Sequence, residues 1–226
     1  IATLFLSEVS GMVRPELQTK IDQALPRALK IILDAQKVEK EKSHQGGWRY
    51  QPQPTDADIS VTVMQIVALA SAQEAGILVP GETIRKAIAY VKSCQDKASG
   101  GFGYQRGGGG VKFSSTAAGL MSLLMAGERK SDAIDRSLAY LLQQPDSKFD
   151  NTQFYFYAHY YAIQAMYQLG EERYQTWYPK IQKALIAKQD KDGSWRNSET
   201  GDPSYGTSMA ILILGVPYRF LPIYQR

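Results

Sequence analysis

Apolar positions along this chain fall into two kinds of segment that alternate. In the first kind they recur at the spacing of one helical face. Residues 15–36 carry Leu17, Ile21, Leu25, Leu29, Ile32 and Leu33 in this way, which predicts an amphipathic helix with a bend at Pro26. Residues 82–95 place Ile84, Ala87, Ile88 and Val91 on one face, and residues 132–143 and 174–188 follow the same rule. In the second kind apolar residues occupy nearly every face: residues 56–75 (Ile59, Val61, Val63, Met64, Ile66, Val67 and Leu69), 114–126, the aromatic-rich 154–169, and 205–214. Gly76 and Gly170 stop two of these, as glycine commonly does at a helix end. Pro217 and Pro222 mark an irregular tail.

A helix that is apolar on every side must be buried on every side, whereas an amphipathic helix buries one face. Alternation of the two predicts helical hairpins in two layers. The loops carry a second regularity. Gly46-Gly47-Trp48-Arg49-Tyr50-Gln51 returns as Gly100-Gly101-Phe102-Gly103-Tyr104-Gln105 and, in weaker form, as Asp192-Gly193-Ser194-Trp195-Arg196-Asn197. Each copy follows a glutamine that closes an amphipathic segment: Gln36, Gln95 and Gln189. The aromatics are 54 positions apart between Trp48 and Phe102, then 47 to Phe149 and 46 to Trp195, so residues 144–149 read as a degraded copy. Thr62 and Thr116 each lie 14 positions after their aromatic, which keeps the fully apolar helices in phase. Self-similarity at such a period marks a stacked repeat, open as a solenoid or closed as a ring.

The 226 residues suit one repeat domain over 1–226, and 44% hydrophobic with 21% charged residues excludes a disordered chain. The net charge of +4 is spread without a basic stripe, so no nucleic-acid partner is expected. The densest run, Lys37 to Lys42, alternates in sign and reads as a solvated loop or helix end. No apolar run approaches the ~20 residues of a membrane span. The chain begins at Ile1 within an apolar stretch, without an initiator methionine or a basic signal sequence. It reads as a soluble, processed or trimmed product without its natural N-terminus and any targeting signal, and the compartment stays open.

The glutamine that ends a helix, followed by a short loop and Gly-x-Trp or Gly-Phe, resembles the QW repeat of squalene and oxidosqualene cyclases and the related repeats of protein prenyltransferase beta subunits. Gln36 with Trp48, Gln95 with Phe102, and Gln189 with Trp195 carry the resemblance, which extends over roughly residues 27–214. It implies an all-α (α/α) toroid, partial or complete, of inner and outer helices. The motif residues themselves are expected to be structural, with Trp48, Phe102 and Trp195 as outer clamps between repeats.

The resemblance also implies candidate chemistry. Asp56-Ala57-Asp58 opens a fully apolar helix, where the cyclases place an Asp-x-Asp-Asp motif whose middle acid protonates an alkene. Asp58 matches that acid and Asp56 its partner, while Ile59 stands where the third acid would be. Without the resemblance, Thr55 or Asp56 caps the helix and Asp58 favours its positive end. Residues 154–161 place seven rings in eight positions. Tyr157, His159 and Tyr161 are the ligand-binding candidates there, against the alternative of plain core packing. Cys94, the only cysteine, closes an outer segment away from Asp58 and His159, so neither a prenyltransferase-type zinc site nor any other metal or cofactor is expected. It also lacks the Cys-Gly-Glu-Gln of thioester domains that share the toroid. Gly107 to Gly110, between Arg106 and Lys112, reads as a flexible hairpin tip rather than an anion cradle.

Three functions remain open: a non-catalytic module that binds a hydrophobic or polyol small molecule, or a protein partner, in a central cleft; a class II terpene-cyclase-like enzyme acting through Asp58; and a polysaccharide lyase or hydrolase on an α/α toroid. The missing third acid weighs against the second and the lack of a clear carboxylate pair against the third. The first is the leading expectation.

Overall fold

The computed structural model of the chain describes residues 1–219, and Pro222 lies outside them. Of the described residues, 61% are helical. The described residues form α1 (Ala2–Val9), α2 (Pro15–Lys37), α3 (Ile59–Glu74), α4 (Gly81–Ser93), α5 (Phe113–Met125), α6 (Asp132–Leu142), the single turn α7 (Ser147–Asp150), α8 (Tyr155–Gln168), α9 (Glu171–Ala187) and α10 (Pro203–Leu214). A 3₁₀ turn over Val216–Tyr218 contains Pro217. None of these helices is long and apolar enough to cross a membrane.

The two kinds of segment take two places in the fold. Every residue of α5 is buried, as are most of α3 and α8. These helices pack side by side, α3 on α5, α5 on α8 and α8 on α10. The amphipathic α2, α4, α6 and α9 lie against this row, each through one buried face. Small residues let the row close up: Ala117, Ala118, Ala158, Ala162 and Ala165 are all fully buried.

The loop motifs join the layers through one repeated set of bonds. The Gln36 amide donates to Gly46 O and to Thr83 O in the first turn of α4, both at 2.9 Å. The Gln95 amide donates to Gly100 O at 2.8 Å and to Ala133 O in the first turn of α6 at 2.9 Å. Gln189 donates to Gly193 O at 2.9 Å. The Gln36 and Gln95 amides therefore tie their own loops to the next amphipathic helix, rather than satisfying carbonyls of the helix they end, while Gln189 holds its own loop. The aromatics sit between the layers. Trp48 donates its indole N–H to Ile32 O at 2.8 Å and Trp195 to Leu185 O at 2.7 Å, in each case a carbonyl of the preceding amphipathic helix. Their backbone N–H groups, and that of Phe102, go to a threonine near the start of α3, α5 and α10: Thr62 at 3.1 Å, Thr116 at 2.9 Å and Thr207 at 3.1 Å. α10 departs from the expectation of burial on every face: α8 packs on one side of it, and only Gly206, Ala210 and Ile213 are buried. Gly46 and Gly100 hold φ of +89° and +79° and pass close to the backbone of α4 and α6, where a side chain would meet the carbonyls of Lys86 and Arg136.

Several elements depart from the sequence reading. The apolar start of the chain forms α1, which packs on α3 and places Glu8 against Ser71 Oγ at 2.5 Å. Gly103–Gln105 and Gly108–Val111 pair as an antiparallel hairpin, β1–β2, so the glycine run is a strand as well as a tip. In the charged run, Lys40 is not solvated. It is 6% exposed, and its ammonium donates to the carbonyls of Ala35, Gln36 and Val38, closing the end of α2. Burial lowers its pKa. In the degraded copy, the Gln144 amide bonds back to Tyr140 O and to no other group among the described residues, while Phe149 is buried against Trp177 with ring centroids 4.9 Å apart.

Candidate functional site

The starts of α3, α5, α8 and α10 surround a cleft of about 470 Å³. Its lining repeats with the chain. The residue two positions after each motif aromatic reaches it: Tyr50, Tyr104 and Asn197. So does the residue two positions before each threonine: Ser60, Ser114 and Tyr205. Ile59, Val61, Met64 and Phe156 supply apolar wall, while Lys112, Ser115, Glu199 and Thr200 add polar groups. Phe154 also lines it, at a φ of +56° that few non-glycine residues adopt. Its backbone N–H donates to Glu199 Oε1 at 2.8 Å, which sets that carboxylate at the start of α8.

Of the aromatic candidates, Tyr157 lines the cleft and the other two do not. Tyr161 stands behind it, ring centroids 4.8 Å apart and edge to face. Burial raises the pKa of both tyrosines well above its ordinary value, with the Tyr161 phenol adding to the effect at Tyr157 and the Tyr160 phenol at Tyr161. The Tyr157 hydroxyl is buried without a hydrogen-bond partner among the described residues. His159 lies among Phe113, Phe149 and Tyr155, with ring centroids within 5.5 Å, and its Nε2 is 2.9 Å from Lys148 O. That carbonyl can only accept, so Nε2 carries the proton. Burial pulls the imidazole down to about 4, against the raising effect of the Lys148 carbonyl and with help from the Lys188 charge. It is a neutral core histidine, away from the cleft.

Asp58 is fully buried just behind the lining and is itself the cap of α3, in place of the expected Thr55 or Asp56. Its Oδ1 accepts from Val61 N at 2.8 Å and Ser60 Oγ at 2.6 Å. Its Oδ2 accepts from Tyr104 Oη at 2.9 Å and from the Arg49 guanidinium. Asp56 lies outside the helix, 3.3 Å from Arg49 Nε, and accepts from Gln105 Nε2 at 3.1 Å. Gln105 also bonds to Ala57 O at 2.9 Å, so hairpin β1–β2 is tied to the start of α3. Burial alone would lower the pKa of Arg49, but hydrogen bonds and charge from Asp58 and Tyr104 outweigh it and raise it. Burial, with the Asp58 bond and charge, pushes Tyr104 up to about 12. The two acids are thus held by one arginine, and only through Ser60 and Tyr104 does Asp58 reach the cleft.

Cys94 is buried at the end of α4, and burial pushes its thiol up to about 11. Among the described residues no three His, Cys, Asp or Glu side chains come together as a metal site would require.

The sequence reading missed Tyr50, Tyr104, Asn197, Ser60, Ser114 and Tyr205. The signal for all six was present, because they occupy two positions of the repeat in three copies. Set against known proteins, the chain matches no family model and no curated protein.

Proposed function

We propose that this chain is an arc of an (α/α) toroid of the squalene-cyclase and prenyltransferase-beta type. In this reading its cleft binds a small, largely apolar ligand that carries hydroxyl or other hydrogen-bonding groups, and does so without transforming it. The observation that carries the proposal is the convergence of repeat-equivalent residues from three copies, Tyr50, Tyr104 and Asn197, on a single cleft. Repeats arranged about a common axis bring equivalent positions together in that way. The size and aromatic lining of the cleft fit a ligand pocket, where a mostly apolar wall supplies affinity and a few polar groups set orientation.

Asp58 supports the non-catalytic form of this reading. Protonation of an alkene needs an acid that keeps its proton. Asp58 instead accepts from a guanidinium, two hydroxyls and a backbone N–H, which are the partners of a carboxylate. Glycoside hydrolysis commonly uses two carboxylates across the scissile bond, and Glu199 is the one acid among the residues lining this cleft.

The test is calorimetric titration of the full chain with decanol and with small sterols and oligosaccharides, beside incubation with squalene and shorter polyprenyl substrates. We expect binding of the apolar alcohols, its loss in Tyr157→Ala, and no cyclic product. No binding by any apolar alcohol would overturn the cleft assignment. Cyclic product lost in Asp58→Asn would overturn the non-catalytic one.

A further inference from the structure

Two copies of the repeat differ at one position beside the cleft. Asp58 and Lys112 are structural equivalents. Each donates its backbone N–H to the carbonyl of its copy's aromatic, Asp58 to Trp48 at 3.1 Å and Lys112 to Phe102 at 3.3 Å. Each also precedes by the same step the threonine that binds that aromatic's N–H. Before α3 the residue is a carboxylate that caps the helix. Before α5 it is a lysine, and α5 has no side-chain cap.

The first N–H groups of a helix lack intrahelical partners and carry partial positive charge, so an ammonium at the cap position has the wrong sign. The other three helices that begin at the cleft each have an acid of this chain at that end. Asp58 caps α3, Glu199 accepts from Phe154 N beside α8, and Asp202 accepts from Ser204 N in α10. An independent observation points to a ligand at α5. Ser114 and Ser115, in its first turn, are each 4% exposed and line the cleft. Their hydroxyls open to the cleft and make no hydrogen bond among the described residues, where Lys112 also makes no ion pair. The Tyr157 hydroxyl, from adjacent α8, is buried and unpartnered too. Asp58, behind the lining, is engaged by Arg49, and Glu199, which lines the same cleft, accepts from Phe154 N at the start of α8.

We propose that the start of α5 binds the acidic head of an amphipathic ligand, a carboxylate or a phosphate monoester, whose apolar body lies along Ile59, Met64 and Phe156. The proposal rests on the cleft reading above and adds the charge of the ligand. Lys112 supplies the countercharge, the Ser114 and Ser115 hydroxyls and the first-turn N–H groups supply donors, and this is the donor set that helix starts offer to anions.

The experiment titrates the full chain with decanoate, decyl phosphate, decanol and inorganic phosphate at neutral pH and low salt. Wild type should bind at least one of the two acids about tenfold more tightly than decanol, with the preference weakening as salt is raised. The comparison between decanoate and decyl phosphate names the head group. Lys112→Asp gives α5 the cap that α3 has, so it should raise the melting temperature and remove the preference for the acids while decanol still binds. Because that variant is expected to be more stable, misfolding does not mask the result. Equal binding of decanol and both acids by wild type, or an acid preference that survives Lys112→Asp, would overturn the charge assignment and leave the apolar cleft standing. Failure of all three decyl compounds to bind would overturn both. Tight binding of inorganic phosphate with none of decanol would leave an anion site but refute the amphipathic ligand.

Discussion

Acidification should destabilise this protein through His159 in a window set by one buried ring. In the unfolded chain the imidazole titrates near its ordinary value of 6.5, whereas burial among Phe113, Phe149 and Tyr155 pulls it down to about 4 in the fold. A depressed histidine pKa means that the unfolded state takes up the proton first. The contribution of the neutral ring is therefore fully present above about pH 6.5 and is lost as pH falls toward about 4. At about 1.4 kcal/mol per pKa unit, the loss across that window is about 3 kcal/mol. The ring is fully buried, so solvent screening does not reduce this much. The assay is urea unfolding at a series of pH values for wild type and His159→Gln. Glutamine keeps an N–H donor for Lys148 O and removes the titration. Carboxylates elsewhere, Lys188 and Tyr155 contribute equally to both proteins, so the difference between the two curves isolates the histidine. The advantage of wild type over the variant should be flat above about pH 6.5 and should shrink by about 3 kcal/mol by about pH 4. Parallel curves through that window would refute the reasoning and show that His159 reaches solvent when protonated.

Two further substitutions test the joints between the layers. Trp195→Ala removes a ring that is 6% exposed and an indole N–H bonded to Leu185 O, and should cost about 3–5 kcal/mol; an unchanged melting temperature would show that the ring clamps nothing. Gly46→Ala and Gly127→Ala share a φ of +89°, but a Cβ at Gly46 would meet the backbone of Lys86, while one at Gly127 would point into open space. The Gly127 change should cost about 1–2 kcal/mol from conformation alone and the Gly46 change about 1–3 kcal/mol more, read as a difference in urea midpoint; equal costs would refute the close approach.

How far the site could be read in advance depended on whether each residue's neighbours were local. The cap of α3 was legible as a class, an acid at a helix start, but its identity was not. Thr55, Asp56 and Asp58 are all competent caps, and the choice falls to Asp58 because Arg49 and Tyr104 meet it there. Tyr157, His159 and Tyr161 could not be sorted either. A helix apolar on every face presents no periodic signal to say which side is open, so only packing against α5, α9 and α10 decides that Tyr157 faces the cleft. Lys112 carried no motif at all. Its interest comes from equivalence with Asp58, visible once Phe102 O and Trp48 O are seen to hold the two in register.

The sequence by itself determined the longer helices, the alternation between buried and half-buried from α2 to α9, and the joints that recur between them, while α10 is only partly covered. Those properties follow from local spacing, from turns that need glycine, and from a motif copied along the chain. α1 and the β1–β2 hairpin escaped it, since one is too short to display a period and the other is mostly glycine, which has no pattern of sides. The tertiary structure alone decided which equivalent positions meet at the cleft, that Arg49 holds both Asp56 and Asp58, and that the ammonium of Lys40 is buried while Lys112 lines the cleft. Those outcomes depend on distances between residues far apart in the chain, and neither spacing nor composition carries that distance.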